Sequence, residues 1–309
     1  MRIGMFAVAD ESAGGLEGLV AQAQQAERDG LATVWVYNIF GVDALTALAV
    51  CARATTRIEL GAAVVPIQLR HPFAMAQQAL TLQAAAGGRF TLGIGVSHRP
   101  WIEDLFGLPF AQPTAHLREY MAVLAPLIRT RRVAHTGKRY RVHAALTTPE
   151  VPPCPILFSA LAPRMLALAG RVADGTITAW TGPKTLRTHT VPRLAEAAAR
   201  AGRPAPRVVA LFPIAVTDDG PAARTTAAQL FAMFGGLPSY RAMLDLEGVQ
   251  GPEDVVLSGD EDAVGDQVRR LGEAGVTDLL ALPYPVGPDA PASLARTAAL
   301  LARLARDPG

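Results

Sequence analysis

The stretch GGRFTLGIGVSHRP, from Gly87 to Pro100, places four glycines around a short apolar run and ends in His98 and Arg99. A nucleotide-binding loop, an ordinary strand with a turn, and a barrel strand that opens onto an active site all fit this pattern. The dinucleotide-binding signature G-x-G-x-x-G is incomplete, since His98 stands where its third glycine belongs. His98 is therefore either a partly exposed loop histidine or a group that transfers a proton at a site.

The sequence lacks the motifs of several other kinds of enzyme. No facing pair of acidic residues suits glycoside hydrolysis, no G-x-S-x-G turn is present, and the six histidines lack metal-ligand spacing. Lys138 and Lys184 both fall outside the predicted strand ends. Those ends carry mostly Ala, Gly, Val and aromatic residues, a set that favours a flat cofactor with reactivity of its own. We predict no bound metal.

Two further segments, SALAPRM and TAWTGPKTL, each follow a predicted strand and enter a predicted helix. Backbone N–H groups at such helix starts, with Thr181 and Lys184 nearby, are suited to hold a phosphate. Alternatively, Pro163 and Pro183 do no more than begin helices, because proline suits the first helical turn. Trp101 and Trp180 fit either a pocket wall or the core.

Short apolar runs that alternate with Ala-rich helical stretches must position these groups. Strands are predicted at residues 2–8, 33–37, 58–65, 90–95, 155–158, 175–178, 208–216 and 277–282. Helices are predicted at 15–29, 43–54, 73–85 and 293–306, with others between the later strands. A closed eight-stranded barrel and an open doubly wound sheet both produce such alternation. The count of eight and the incomplete glycine signature favour the barrel, whose working groups lie at the carboxyl ends of its strands.

The barrel prediction makes the chain one domain over residues 1–309, with insertions at about 130–153 and 218–263. The first insertion contains AHTGKRYRVH, which predicts a hairpin with its turn at Thr136 and Gly137. The second carries extra helices. We expect residues 99–110 and 218–248 to hold the substrate.

The composition limits the binding partners and the cellular compartment that we expect for this protein. The 309 residues carry 29 Lys and Arg against 27 Asp and Glu, a net charge of +2 that favours neither nucleic acid nor an anionic membrane. Cys51 and Cys154 have no metal-type spacing and indicate reduced thiols. With no signal peptide or membrane span in the pattern, we expect a cytoplasmic protein that acts on a small molecule.

The motif HP-x-x-x-A-x-x-A-x-T-x-Q-x-x-x-x-GR-x-x-LG-x-G, from His71 to Gly95, resembles the luciferase-like flavin-dependent superfamily, and most closely its deazaflavin-using branch. The similarity continues through SALAPRM and TAWTGPKTL to VRRLGEAGVTDLL, so it covers nearly the whole chain. It implies a luciferase-like (β/α)8 TIM barrel with insertions, bound coenzyme F420 or FMN, and a homodimer.

The resemblance also implies roles for particular residues. A bulged strand end at Ala63 and Val64, with a non-prolyl cis peptide, would support the cofactor ring. The phosphate tail would lie at the two helix starts. The implied cofactor-binding residues are Asn38, Ala63, Val64, Gly95, Ser97, Ala160, Leu161, Ala162, Thr181, Gly182 and Lys184.

The activity implied is hydride transfer between F420 and a C=N, C=C or C=O bond, with His98 as the proton donor. An FMN-dependent monooxygenase and a barrel that binds the cofactor without turnover are the alternatives. Some deazaflavin enzymes have Glu at the position of His98 and His at that of Ile39, so activity on a sugar phosphate is not expected. At the strand itself, Gly93 and Gly95 are predicted to let the ring approach the backbone.

Overall fold

The computed structural model describes residues 1–8 and 14–306, over which strands and helices alternate. The strands are β1 (Arg2–Ala7), β2 (Thr33–Val36), β3 (Glu59–Ala62), β4 (Val65–Pro66), β5 (Phe90–Gly95), β6 (Arg132–Thr136), β7 (Arg141–Ala145), β8 (Ile156–Ser159), β9 (Gly175–Ala179), β10 (Arg207–Val216), β11 (Leu257–Gly259) and β12 (Asp278–Pro283). The helices are α1 (Gly15–Arg28), α2 (Ala44–Ala54), α3 (Pro72–Ala85), α4 (Pro113–Thr130), α5 (Pro163–Val172), α6 (Pro183–Thr185), α7 (Val191–Arg200), α8 (Gly220–Gly235), α9 (Pro238–Glu247), α10 (Glu261–Glu273) and α11 (Ala290–Arg306).

Eight parallel strands close into a ring in the order β1, β2, β3, β5, β8, β9, β10 and β12. The last strand, β12, pairs with both β10 and β1, which leaves no open edge. The predicted (β/α)8 barrel is therefore confirmed, and the open doubly wound sheet is excluded. The predicted end of the first strand at Ala9 and Asp10 lies outside the described residues.

Burial on both faces explains the continuous apolar strands. In β5, Phe90, Leu92 and Ile94 pack in the layer between barrel and helices, while the intervening Thr91 and Gly93 alternate to the opposite face. The barrel interior is filled by a separate cluster that includes Trp35, Leu157, Ile177, Val209, Leu211 and Leu280. Gly87 and Gly88 follow α3 at φ +59° and +89°, the left-handed conformation that glycine adopts most easily.

The predicted third strand, residues 58–65, is divided in the structure. Gly61 of β3 pairs with Thr91, whereas Val65 of β4 pairs with Ile94. The two pairs are four residues apart along β3 and β4 but three residues apart along β5. This extra residue is the arrangement of a β-bulge. The peptide bond between Ala63 and Val64, inside this bulge, is cis. The bulged strand end and its cis peptide were both expected from the resemblance, and both are present.

Two long connections carry additional structure. β6 and β7 form the predicted antiparallel hairpin, but Thr136 pairs with Arg141, so the turn occupies residues 137–140 rather than Thr136 and Gly137. The carboxylate of Glu119 accepts hydrogen bonds from the backbone of Arg139 and Tyr140, which fixes the turn at this later position. The second connection contains α8, α9 and β11, and it brings new side chains to the mouth of the barrel.

Candidate active site

A cavity of about 480 Å³ opens at the carboxyl ends of the barrel strands, where (β/α)8 enzymes hold their active sites. The ends of β2, β5 and β8, the bulge before β4, and the starts of α4, α5 and α9 all contribute to its wall. The wall is mostly apolar, as small-molecule sites usually are.

Several residues predicted from the sequence meet at this cavity: Asn38, Ala63, Val64, Ser97, His98, Leu161 and Ala162. Trp101 also lines it. Trp180 instead packs in a separate apolar cluster, stacked on Phe234 at 4.8 Å between ring centroids. The two tryptophans therefore differ in their roles, one as a cavity wall and the other as part of the core.

Gly95 lies behind the cavity wall. A Cβ atom at Gly95 would lie 2.8 Å from Cγ2 of Val64 and 3.1 Å from Cβ of Ser159, and both of those residues line the cavity. At Gly93 an added Cβ would meet the carbonyl of Ala62 and the side chain of Ile177 in the barrel interior. The two glycines make room for neighbouring strands and side chains. That they also let a cofactor ring reach the strand backbone stays a prediction.

Asn38 has a structural hydrogen bond as well as a place in the wall. Its Oδ1 accepts from the backbone N–H of Ala44, 3.0 Å away at the start of α2. Asp43 caps the same helix by accepting from the backbone N–H of Thr46. These contacts fix Asn38 at the end of β2, next to Ile39 in the cavity wall.

His98 lies in a cluster of rings from two separate segments. Its ring centroid is 4.9 Å from that of Trp101 and 4.9 Å from that of Tyr240 on α9. Its Nδ1 lies 3.2 Å from the hydroxyl of Ser239. Burial lowers the pKa of His98 from its ordinary 6.5 to about 4. At neutral pH the imidazole is therefore uncharged, and its unperturbed pKa is no guide to its chemistry here.

Ser239 and Tyr240 are two of the described site residues that sequence reasoning did not single out. The second insertion was expected to hold the substrate, but nothing in its pattern specifies which residues turn toward the barrel. Proline at the first position of α9, Pro238, marks the helix start that directs Ser239 and Tyr240 to the cavity. Burial raises the pKa of the Tyr240 phenol to about 12, so it also stays neutral.

The predicted phosphate loop at Thr181, Gly182 and Lys184 does not reach the cavity. The carboxylate of Glu247, at the end of α9, accepts from the backbone N–H groups of Lys184 at 3.1 Å and Thr185 at 2.7 Å. The Nζ of Lys184 donates to the carbonyl of Glu247 at 3.2 Å. A carboxylate of the protein itself thus occupies the anion position at this helix start.

The other predicted helix start does face the cavity. Ala162 lines it and precedes α5 without a side-chain cap. The N–H groups of Met165 and Leu166 bond to the carbonyl of Ala162, whereas that of Arg164 has no hydrogen-bond partner among the described residues. Ala160 is buried behind the wall, where its carbonyl accepts from the hydroxyl of Thr176.

Charged groups are scarce in the wall. Arg99 is the one charged side chain among its described residues, and its guanidinium donates to both carboxylate oxygens of Glu103 at 2.8 and 2.9 Å. Within residues 1–8 and 14–306, no group of three His, Cys, Asp or Glu side chains is placed to hold a metal ion. Among the helices described, none is both long and apolar enough to cross a bilayer.

Comparison with known proteins agrees with this geometry. The family model of luciferase-like monooxygenases matches residues 1–278. The chain belongs to this family. The resemblance inferred from the sequence is confirmed.

Individual relatives extend the comparison. The chain is 31% identical over 277 residues to a Mycobacterium tuberculosis protein whose assignment as a coenzyme F420-dependent oxidoreductase is itself provisional, and the match covers 84% of this chain and 74% of that one. It is 29% identical over 308 residues to the F420-dependent glucose-6-phosphate dehydrogenase of Kineococcus radiotolerans, with 91% and 90% covered. A solved F420-dependent secondary alcohol dehydrogenase, bound to an F420–acetone adduct, shares the fold with a TM-score of 0.80 at 22% identity, over 99% of each chain.

Proposed function

We propose that this protein is a coenzyme F420-dependent oxidoreductase, which transfers a hydride between the cofactor and a small organic substrate at a C=N, C=C or C=O bond. The observation that carries the proposal is the bulged strand end at Ala63 and Val64 in the wall of the mouth cavity. The relatives named for F420 support this choice of cofactor. When bound, the deazaflavin supplies the hydride chemistry that the side chains around it lack.

The residues of the cavity fit such a cofactor. Ala63, Val64 and Ser97 offer an uncharged surface for a flat ring. The free N–H of Arg164, at the start of α5, offers a donor for a phosphate, with Leu161 and Ala162 beside it in the wall. We place the phosphate here rather than at Lys184, because Glu247 already binds the donors of that second helix start.

His98 has a modified role in this proposal. We assign the hydroxyl of Ser239 as the donor to Nδ1. The neutral ring then carries its proton on Nε2, which has no hydrogen-bond partner among the described residues. Nε2–H can then donate a hydrogen bond to the substrate heteroatom where negative charge develops. Because the ring is uncharged at neutral pH, the proton that completes a reduction comes from water. His98 therefore polarises the substrate as a neutral hydrogen-bond donor. The sequence alone instead predicts that His98 gives its proton to the substrate.

The decisive experiment titrates the purified full chain with F420 and with FMN in parallel. We expect F420 to bind at least roughly tenfold more tightly than FMN. Reduced F420 should then be oxidised only when a substrate is added. Tighter binding of FMN with consumption of oxygen would favour the monooxygenase, and F420 binding without turnover on any carbonyl, imine or enone would favour a non-catalytic carrier. The homodimer and the cytoplasmic location stay predictions.

A further inference from the structure

The outer wall of the cavity is a continuous row of rings. Trp101 contacts His98, His98 contacts Tyr240, and Tyr240 contacts Phe234 edge-on at 6.1 Å between centroids. Phe110 closes the same mouth. Rings in such an arrangement present flat apolar faces that favour planar or cyclic partners.

The cationic group of this wall is already neutralised. Arg99 pairs with Glu103 through two hydrogen bonds, and its guanidinium lies 5.3 Å from the centroid of the Phe110 ring. Glu103 also accepts from the backbone N–H of Phe110, which fixes the carboxylate where it holds Arg99. Both hydrogen bonds come from Nη1 of Arg99, and the carboxylate of Glu103 offsets the positive charge that the wall would otherwise present to an anionic ligand.

The surroundings of His98 indicate how the cavity treats charge. The imidazole lies between two aromatic rings and one hydroxyl, and burial lowers its pKa. A site that disfavours a charged imidazole also disfavours a carboxylate or phosphate that lacks a partner, since desolvation opposes any unpaired charge.

Resting on the function proposed above, we propose that the substrate is an uncharged, largely apolar ring compound with one carbonyl or imine group. Its ring lies against Trp101, Tyr240 and Phe234, and its heteroatom accepts the hydrogen bond of His98. Phosphorylated sugars and carboxylate-bearing compounds bind more weakly, because Glu103 already offsets the charge of Arg99.

The test uses three aryl methyl ketones as ligands: acetophenone, 4-acetylbenzamide and 4-acetylbenzoate. The last two are nearly isosteric and differ in charge. Ligand-observed NMR on the full chain, with and without F420, measures their binding. We expect the ketone and the amide to bind with dissociation constants on the order of 1 mM, and the benzoate at least roughly tenfold more weakly. Equal binding of amide and benzoate would overturn the proposal, as would no binding of either neutral ligand at ~10 mM.

A variant tests the Arg99 argument directly. Glu103→Gln keeps an oxygen that can accept from Phe110 but removes the charge that neutralises Arg99. We expect benzoate to bind about fivefold more tightly to this variant, with amide binding unchanged. Glu196→Gln is the matched control, because Glu196 forms an i,i+4 pair of the same kind with Arg200 on the exposed face of α7. Unchanged benzoate binding in Glu103→Gln would overturn the assignment.

Turnover is measured separately, as the return of oxidised F420 absorbance. Neutral ligands that bind without turnover would count against the proposed oxidoreductase function and leave the substrate class standing. Turnover with benzoate or a sugar phosphate, in preference to the neutral ligands, would support the oxidoreductase and overturn the substrate class.

Discussion

The two ends of the barrel handle charge in opposite ways. At the amino ends of the strands, Arg207 donates to Glu59 and to Asp278 at 2.8 Å each. Arg2 pairs with the same two carboxylates. At the carboxyl ends, the cavity wall contains one charged residue among those described, Arg99, and its partner is Glu103.

The pKa values show the same contrast. Burial alone would raise the pKa of Glu59 and of Asp278. The guanidinium groups of Arg207 and Arg2, together with hydrogen bonds from Thr91 and Thr277, outweigh burial and hold both pKa values below their ordinary range. At the other end, nothing offsets burial at His98, and its pKa falls. Buried charges at the bottom are stabilised by pairing, whereas at the mouth burial keeps His98 and Tyr240 uncharged.

We infer from this difference that the amino ends of the strands stabilise the barrel and the carboxyl ends bind the ligand. The bottom network joins β1, β3, β10 and β12, so it ties distant parts of the ring together. The described residues of the mouth contribute fewer ion pairs, and the mouth leaves room for a ligand. Substitutions at the two ends should therefore have separable effects, one on unfolding and the other on turnover or affinity.

The largest effect is expected from Arg207→Met. This change leaves Glu59 and the buried Asp278 facing each other with Arg2 as their remaining partner, so the free energy of unfolding should fall by about 3–5 kcal/mol. Urea denaturation measures it. Arg200→Met, in an exposed pair with Glu196, is the control and should cost less than about 1 kcal/mol. Equal losses of unfolding free energy in Arg207→Met and Arg200→Met would show that the buried pairs of Arg207 stabilise the protein no more than an exposed pair does.

The next effect concerns the mouth. His98→Ala removes the donor proposed to polarise the substrate, so kcat should fall by ~10²-fold. Affinity for F420 should stay within about threefold, because Ala63, Val64, Ser97 and the start of α5 are unchanged. Steady-state kinetics and a cofactor titration measure the two quantities. A normal rate would show that water alone serves the substrate heteroatom.

A third prediction uses pH. An unfolded histidine titrates near 6.5, whereas burial holds folded His98 at about 4. Between these values the unfolded chain binds more protons, so stability rises with pH. The contribution is fully present above about pH 6.5 and is lost as pH falls toward about 4. Relative to His98→Asn, the wild-type protein should lose about 2 kcal/mol over this interval.

Chemical denaturation at several pH values measures this difference. The interval from about pH 6 to 4.5 isolates His98 most clearly, because the stability contributed by Glu59 and Asp278 is lost mainly at pH values below it. Parallel pH profiles for the wild type and His98→Asn would contradict the neutral, buried state of this histidine.

A smaller effect is expected at Ser239. Ser239→Ala removes the hydroxyl beside Nδ1, so the neutral ring can place its proton on either nitrogen. We expect kcat to fall about three- to tenfold with little change in KM, and Ser239→Thr to restore most of the rate. A change confined to KM would indicate that Ser239 contacts the substrate and does not orient His98.

The smallest effect is expected from Lys184→Ala. Since Glu247 already occupies the adjacent anion position, F420 affinity should change by less than about threefold. Arg164→Pro, which removes the backbone N–H proposed to bind the phosphate at the start of α5, serves as the comparison and should weaken F420 binding more. A ten- to hundredfold loss in Lys184→Ala would show that the phosphate displaces Glu247.

Much of the architecture could be predicted from the sequence. Buried parallel strands are recognisable as short apolar runs, and their alternation with helices gave the number of barrel strands. Residues such as Ala63, Val64 and His98 could be assigned to the mouth because each follows a strand. Their detailed surroundings could not be predicted, since the row of rings joins segments 141 residues apart, as the contact of His98 with Ser239 shows.

The sequence by itself determined the periodic pattern, the family motif from His71 to Gly95 and the residue types at the strand ends. Only the tertiary structure decided what those residues do. It put Glu247 on the donors of Lys184 and Thr185 across 63 and 62 residues, and it buried His98 enough to keep it uncharged. The physical reason is that local periodicity reports burial along one element, whereas desolvation and pairing depend on whatever elements pack against it.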